Sequence, residues 1–207
     1  MTSSTTTDSP TAIRRRREVA EAARAEIAEK GFEGLRMRDV AERAGINVAT
    51  LDYHVGGKEG LIAVIAASIV EDFRAQYDQA PRDDMTAAEG LLQEMRDFRS
   101  IRLSRPDIHP VMASLSRRAP NDPAIARHIL PLKQHWLTVI ETLMTKGRED
   151  GSLRANIDPP AAARTFIMSL VALGSPEQSH LNFRQHAAEI LRSYATDPDP
   201  LIEGLPE

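Results

Sequence analysis

The chain has 207 residues, 42% of them hydrophobic and 27% charged, with a formal net charge of −4 and no cysteine. Those values describe an ordinary globular chain, long enough for one or two packed cores. They exclude disulfides, thiolate metal sites and cysteine nucleophiles. The lack of cysteine suits a reducing cytoplasm, where the protein is expected, and no apolar run reaches the roughly 18–20 residues of a membrane span.

Residues 1–10 are rich in Ser and Thr with no apolar stretch, so they read as a disordered tail and not as a secretory signal. Arg14, Arg15, Arg16 and Arg17 follow as one block of positive charge. Over residues 12–60 ten Lys and Arg stand against nine Asp and Glu, while the remainder is acidic. Basic side chains at a helix start oppose its dipole. That leaves two readings of the block: a solvated helix start, or contact with phosphate.

Val19, Ala20, Ala23 and Ile27 recur at three- and four-residue steps and predict a helix that Gly31 stops. Val40, Ala41 and Ala44 form a second, short stripe stopped by Gly45. A third short helix is predicted over 48–55, before Gly56 and Gly57. A long helix over 58–79 places Leu61, Ile62, Ile65, Ile69 and Phe73 on one side and breaks at Pro81. Helices are also predicted over 86–105, carrying Leu91, Leu92, Met95, Phe98 and Arg102, and over 108–118, carrying Ile108, Val111, Met112 and Leu115. Asp122-Pro123 and Asp158-Pro159 are start signals, an N-cap followed by proline at the first helical position. The first opens a helix with Ile125, Ile129, Leu132, Trp136, Ile140 and Leu143, bent at Pro131. The second opens a helix over 159–173 that is apolar nearly all round. A last amphipathic helix carries Phe183, Ala187, Ile190, Leu191 and Tyr194. No run alternates as a strand would, so the chain reads as all-α.

Residues 37–55 have the pattern of a helix-turn-helix. Gly45 can take the left-handed turn conformation, Ile46 anchors the turn, Asn47 caps the second helix and Leu51 packs back. Val48, Ala49, Asp52 and Tyr53 then face outward. The second helix of such a unit is small enough to enter a major groove. Small residues at Val48 and Ala49 let the backbone approach base edges.

Residues 31–61 resemble the DNA-binding domain of the tetracycline-repressor (TetR) family. The shared residues are Gly31, Gly34, Val40, Ala41, Ala44, Gly45, Ile46, Thr50, Leu51, His54, Lys58 and Glu59, at fixed spacing. The resemblance implies a tail at 1–12, a three-helix helix-turn-helix domain at 13–57, a connecting helix at 58–80 and a helical ligand-binding and dimerisation domain at 81–207. It implies a one-component repressor without cofactor, a homodimer that binds a palindromic operator and is released by a small molecule. Arg38 matches a position that reaches a base or phosphate, and Thr50 a recognition-helix contact. His54 and Lys58 match phosphate contacts, and Tyr53 sits beside the usual aromatic position. With Asn47, Val48 and Ala49 these complete the expected DNA-binding set. From its place alone, His54 could instead cap its helix.

The chain departs from the family at two places. Arg36 and Met37 stand where the family often has a Ser/Thr pair, and Asp52 stands where it has a phosphate-binding tyrosine. A carboxylate about 4 Å from a phosphate is repelled by ~1 kcal/mol in water, and by more when desolvated. Asp52 therefore turns away, accepts a bond from cytosine N4, or weakens binding.

In the second half, the 159–173 helix has apolar residues on too many faces for one core. With the 183–194 helix it is expected to build a four-helix bundle across a two-fold axis, through Phe166, Leu170, Phe183, Ala187, Ile190, Leu191 and Tyr194. The other reading is a fully buried central helix. Candidate ligand-binding residues are Met95, Phe98, Arg102, His109, Met112, Trp136 and Phe166, each of which plain packing explains equally well. Arg102 on an apolar stripe, with His109 near in sequence, points to an anionic or polar ligand group.

His128 and His135 are seven apart, without a metal-site spacing, and no metal is expected. There is no glycine-rich phosphate loop, no Gly-x-Ser-x-Gly and no recognisable pair of catalytic carboxylates, so no catalytic residue and no enzyme is expected. The alternative function is a helical sensor that acts as an activator or through a protein partner, with DNA binding weakened at Asp52.

Overall fold

The computed structural model describes residues 10–80, 82, 84–174 and 182–206. Among them the chain forms helices α1 (Pro10–Gly34), α2 (Met37–Arg43), α3 (Val48–Val55), α4 (Gly57–Tyr77), α5 (Ala87–Ser104) and α6 (Ile108–Arg118). After a short 3-10 turn follow α7 (Pro123–Glu149), α8 (Pro159–Leu173), α9 (Phe183–Tyr194) and α10 (Asp199–Glu203). The described residues contain no strand, only an isolated bridge between Leu153 and Ala195. No helix among them is long and apolar enough to cross a membrane.

The helix starts follow local chemistry. The Asp122 carboxylate accepts from the Ala124 amide at 3.0 Å, and the Asp158 carboxylate from the Ala161 amide at 2.9 Å. Thr86 and Glu89 form a reciprocal capping box at the start of α5. Gly31 interrupts α1 with φ 70° and ψ 169°, a conformation open to glycine. α1 begins at Pro10, so residues 10–12 are helical where a tail was expected. The rest of that predicted tail lies outside the described residues.

The chain sorts into two compact units. One holds the residues up to 73 together with 110–130; the other holds 74–109 and 131–207. The sequence reading grouped 110–130 with the C-terminal domain, but this segment packs with the first unit. Arg118 pairs with Glu33 and lies 5.1 Å from the centre of the Phe32 ring, and Arg127 pairs with Glu59 at 2.6 Å. The first unit buries Val19, Ala20, Ala23 and Ile27 of α1, Val40 and Ala41 of α2, Leu51 of α3 and Leu61, Ile62 and Ile65 of α4. These are the apolar stripes that the periodicity marks.

The core of the second unit includes Leu91, Leu92 and Met95 of α5, Ile140 and Met144 of α7, Phe166 and Leu170 of α8, and Phe183, Ala187 and Leu191 of α9. The residues expected at a dimer surface lie in or against this core. Phe166, Leu170, Phe183, Ala187 and Leu191 are at most 5% exposed within a single protomer, and Ile190 and Tyr194 pack half-buried against the same core. Burying a Phe or Leu contributes roughly 1.5–3 kcal/mol, so one protomer satisfies this face of α8 by itself. The opposite face is exposed, with Met168 at 71% and Val171 at 50%. Ala161, Arg164, Thr165 and Ala172 lie exposed along the same helix.

Candidate nucleic-acid interface

α2 ends through bonds from the Ala44 amide to the Val40 carbonyl at 2.9 Å and from the Gly45 amide to the Glu42 carbonyl at 3.1 Å. Gly45 then takes φ 66° and reverses the chain. The Ile46 amide closes the turn on the Ala41 carbonyl at 2.9 Å. Asn47 caps α3: its side-chain oxygen accepts from the Thr50 amide at 2.7 Å. α3 turns Leu51 and Val55 inward. At its far end Gly56 is left-handed, and Gly60 of α4 comes so close that an added Cβ would lie 1.5 Å from the Val55 carbonyl oxygen. The first turn of α4 therefore approaches α3 as only glycine allows.

The predicted DNA-binding residues fall into three groups. Arg38 is exposed on α2. Val48, Ala49 and Tyr53 are exposed on α3, Tyr53 at 86%, and Thr50 and His54 are half-buried. Asn47 is occupied as a cap, which leaves its amide nitrogen as the end able to donate. Tyr53 and His54 meet edge to face at 5.5 Å. Lys58 is exposed, but its Nζ sits 4.6 Å above the Phe32 ring. Asp52 is exposed on α3 between these residues.

An ion-pair network that the sequence reading missed holds α2 against α1. Arg43 donates to Glu26 at 2.7 Å and bidentately to Glu29 at 2.9 and 2.7 Å. Lys30 bridges Glu26 at 2.7 Å and Asp39 at 3.0 Å. The hydrogen bond from Lys30 holds the Glu26 carboxyl below its usual range; burial opposes this and Arg43 adds to it. The Glu26–Lys30 spacing of four residues was a legible signal. The partners of Arg43 lie 14 and 17 residues away and leave no local trace.

In the second unit four of the predicted ligand residues gather. The Phe98 ring stacks on His109 at 4.1 Å and lies nearly parallel to Trp136 at 6.3 Å. Trp136 Nε1 donates to Glu94 at 3.1 Å, and Arg102 donates to the Leu173 carbonyl. His109 Nδ1 is buried with no hydrogen-bond partner among the described residues. Burial, and then the charge of Arg102, push the His109 imidazole down to about 4, so it is neutral. Met95 and Phe166 belong to the core, and Met112 belongs to the first unit. Two open depressions, one lined by Glu26, Lys30, Asp39, Glu42 and Arg43 and one by Glu18, Glu21, Ala22, Arg43 and Ala44, include none of the seven.

Residues 19–65 match the family model of bacterial regulatory proteins, tetR family. The chain is 26% identical over 183 residues to the HTH-type transcriptional regulatory protein RaaS of Mycobacterium tuberculosis, covering 86% of this chain and 78% of that protein. It is 31% identical over 100 residues to the HTH-type transcriptional repressor AcnR of Corynebacterium diphtheriae, covering 48% of this chain and 46% of the repressor. Among solved structures, it is similar to AibR in complex with isovaleryl coenzyme A and operator DNA, with TM-score 0.68 and 21% identity over 86% of this chain and 97% of that one.

Proposed function

The chain is a tetR-family regulator, and from that premise we propose that it is a cytoplasmic repressor that binds a palindromic operator as a homodimer and leaves it when a small molecule binds. The observation that carries this reading is the outer face of α3. Tyr53 is 86% exposed and Val48 44% exposed on a helix whose Leu51 and Val55 are buried, directly after the Gly45 turn. An apolar and aromatic surface of that kind on a short, capped helix suits a major groove, where Ala49 and Val48 approach base edges. Arg38, Thr50, His54 and Lys58 then meet the flanking backbone or bases.

The dimer forms through the free face of α8, with Met168 and Val171 at its centre and Ile190 of α9 at its margin. A two-fold dimer pairs two heads for the two half-sites of a palindrome, read in successive major grooves. The effector binds beside Phe98, Arg102, His109 and Trp136, with an apolar body against the rings and a polar or anionic group at Arg102 and His109. It must prefer the conformation that cannot hold DNA.

A gel-shift titration on DNA from immediately upstream of its own gene tests the reading. Retardation that weakens steeply with salt is expected; none at low salt would overturn it. That outcome would favour a second reading, to which the exposed Asp52 also speaks: an activator or a sensor that works through a protein partner. Trp136 is the only tryptophan, so its fluorescence reports effector binding. A panel should begin with acyl-CoA thioesters, since AibR was solved with one.

A further inference from the structure

We infer that Asp52 reads a base: its carboxylate accepts from the N4 amino group of a cytosine, so the operator carries a C·G pair where the middle of α3 meets it. This rests on the DNA-binding reading above and deepens it by naming one base pair of the partner.

The fold gives this carboxylate no task. Asp52 is exposed on α3, whose Leu51 and Val55 face the core. The positions three and four residues away are the ones a helical side chain can meet. Here they are Val48, Ala49, Val55 and Gly56, and none carries a charge. Among the described residues no cation pairs with Asp52. Lys58, the nearest Lys or Arg in sequence, holds its Nζ 4.6 Å above the Phe32 ring instead. Asp52 also lies in the second half of an eight-residue helix, towards the negative end of its dipole. Neither packing nor local electrostatics accounts for an acid at this position.

Its place on the helix points to the groove. A helical Cβ leans toward the helix N-terminus, so the Asp52 side chain leans over Val48 and Ala49. Val48 is 44% exposed, and Ala49 is exposed beside it. The three share one side of α3 near the end of a recognition helix that meets base edges. Two small neighbours let the backbone come close, and a carboxylate on a single methylene then reaches a base edge.

The chemistry of the groove selects the base. An ionised carboxylate only accepts hydrogen bonds, and phosphate oxygens offer it no hydrogen. Guanine presents N7 and O6 in the major groove and thymine presents O4, all acceptors that repel it. Adenine donates from N6 but sets the acceptor N7 beside it, where the second carboxylate oxygen would lie. Cytosine presents the N4 donor alone. It is the one base whose own edge an aspartate meets without opposition.

The test uses the full chain and a pool of randomised duplexes, from which bound DNA is recovered and sequenced. The wild-type protein is expected to enrich a site with a C·G pair at one position of each half. Asp52→Ala is expected to lose the preference at that position and keep it at the others. Asp52→Asn supplies one donor and one acceptor, the pattern that fits adenine N6 and N7, and is expected to move the preference there from C·G to A·T. Gel shifts on the selected site and on its A·T counterpart give the size. The wild-type protein is expected to favour C·G by at least about five-fold, and Asp52→Asn to reverse the order. Each ratio compares two duplexes on one protein, so a loss of folded protein cancels from it. Unchanged base preference in both variants, or a change centred on a pair other than C·G, overturns the inference and leaves the DNA-binding reading standing. No enriched sequence with the wild-type protein overturns both.

Discussion

Arg24, 1% exposed, donates to the Asp72 carboxylate at 2.7 Å and so bonds α1 to α4 inside the head. The same nitrogen lies 3.3 Å from the Ser68 hydroxyl. Removing the carboxylate takes the paired charge from a buried guanidinium, and Asp72→Ala is expected to destabilise the protein by about 3 kcal/mol. Arg24→Met removes the charge and keeps most of the volume, so its loss should be much smaller. Urea unfolding of the two variants checks this; equal losses would show that the pair acts through packing alone.

Asp52 sits exposed on the outer face of α3. If its charge opposes phosphate, Asp52→Asn should strengthen binding to non-cognate duplex about five-fold, the equivalent of ~1 kcal/mol. Asp52→Tyr should strengthen it further by adding a phenol that can donate to phosphate. Gel-shift titration at fixed low salt reads both, and equal or weaker binding would mean that Asp52 already points away from the DNA or bonds a base.

His109 links stability to pH. It is held down to about 4 from an ordinary 6.5 by burial and then by Arg102, so the folded protein stays neutral there while the unfolded chain takes up a proton. Stability from this source is complete above the unfolded value and is lost as pH falls from about 6.5 towards 4. His109→Phe keeps a ring against Phe98 and should flatten the urea midpoint across that window. An unchanged slope in the variant would place the acid sensitivity elsewhere.

The dimer proposed through the exposed face of α8 separates association from stability. Val171→Glu and Met168→Glu place charge on an exposed surface and should convert a dimer to a monomer in light scattering, with little change in the thermal midpoint. Phe166→Ala empties a site in the protomer core and should cost about 3–5 kcal/mol. A dimer that survives both glutamates would move the interface off α8.

The helices were legible because their causes are local. Asp122 and Asp158 cap where an Asp-Pro pair announces a start, Gly45 reverses the chain where the second stripe ends, and Asn47 caps the helix that follows. α10 was missed because five residues bounded by prolines present no stripe to read. The burial of Phe166 and Leu170 within one protomer was hidden for a different reason. α8 is apolar nearly all round, and periodicity cannot say which side a protomer keeps for itself. Contacts between distant residues were equally hidden: Arg24 and Asp72 are 48 apart, and Arg102 bonds a carbonyl 71 residues away. On the reading face the order was reversed, since Tyr53 and Val48 stand outward where the spacing placed them, while the cation–π contact of Lys58 with Phe32 left no mark in the sequence.

The grouping of residues 110–130 with the N-terminal unit has a practical meaning for anyone who would transplant the reading head. Arg118 lies against Phe32 and Glu33, and Arg127 against Glu59. A fragment that stops after α4 would keep every residue of the helix-turn-helix and still lack these lateral supports. The head is discontinuous along the chain, and a graft onto another body has to carry α6 and the first turns of α7 with it.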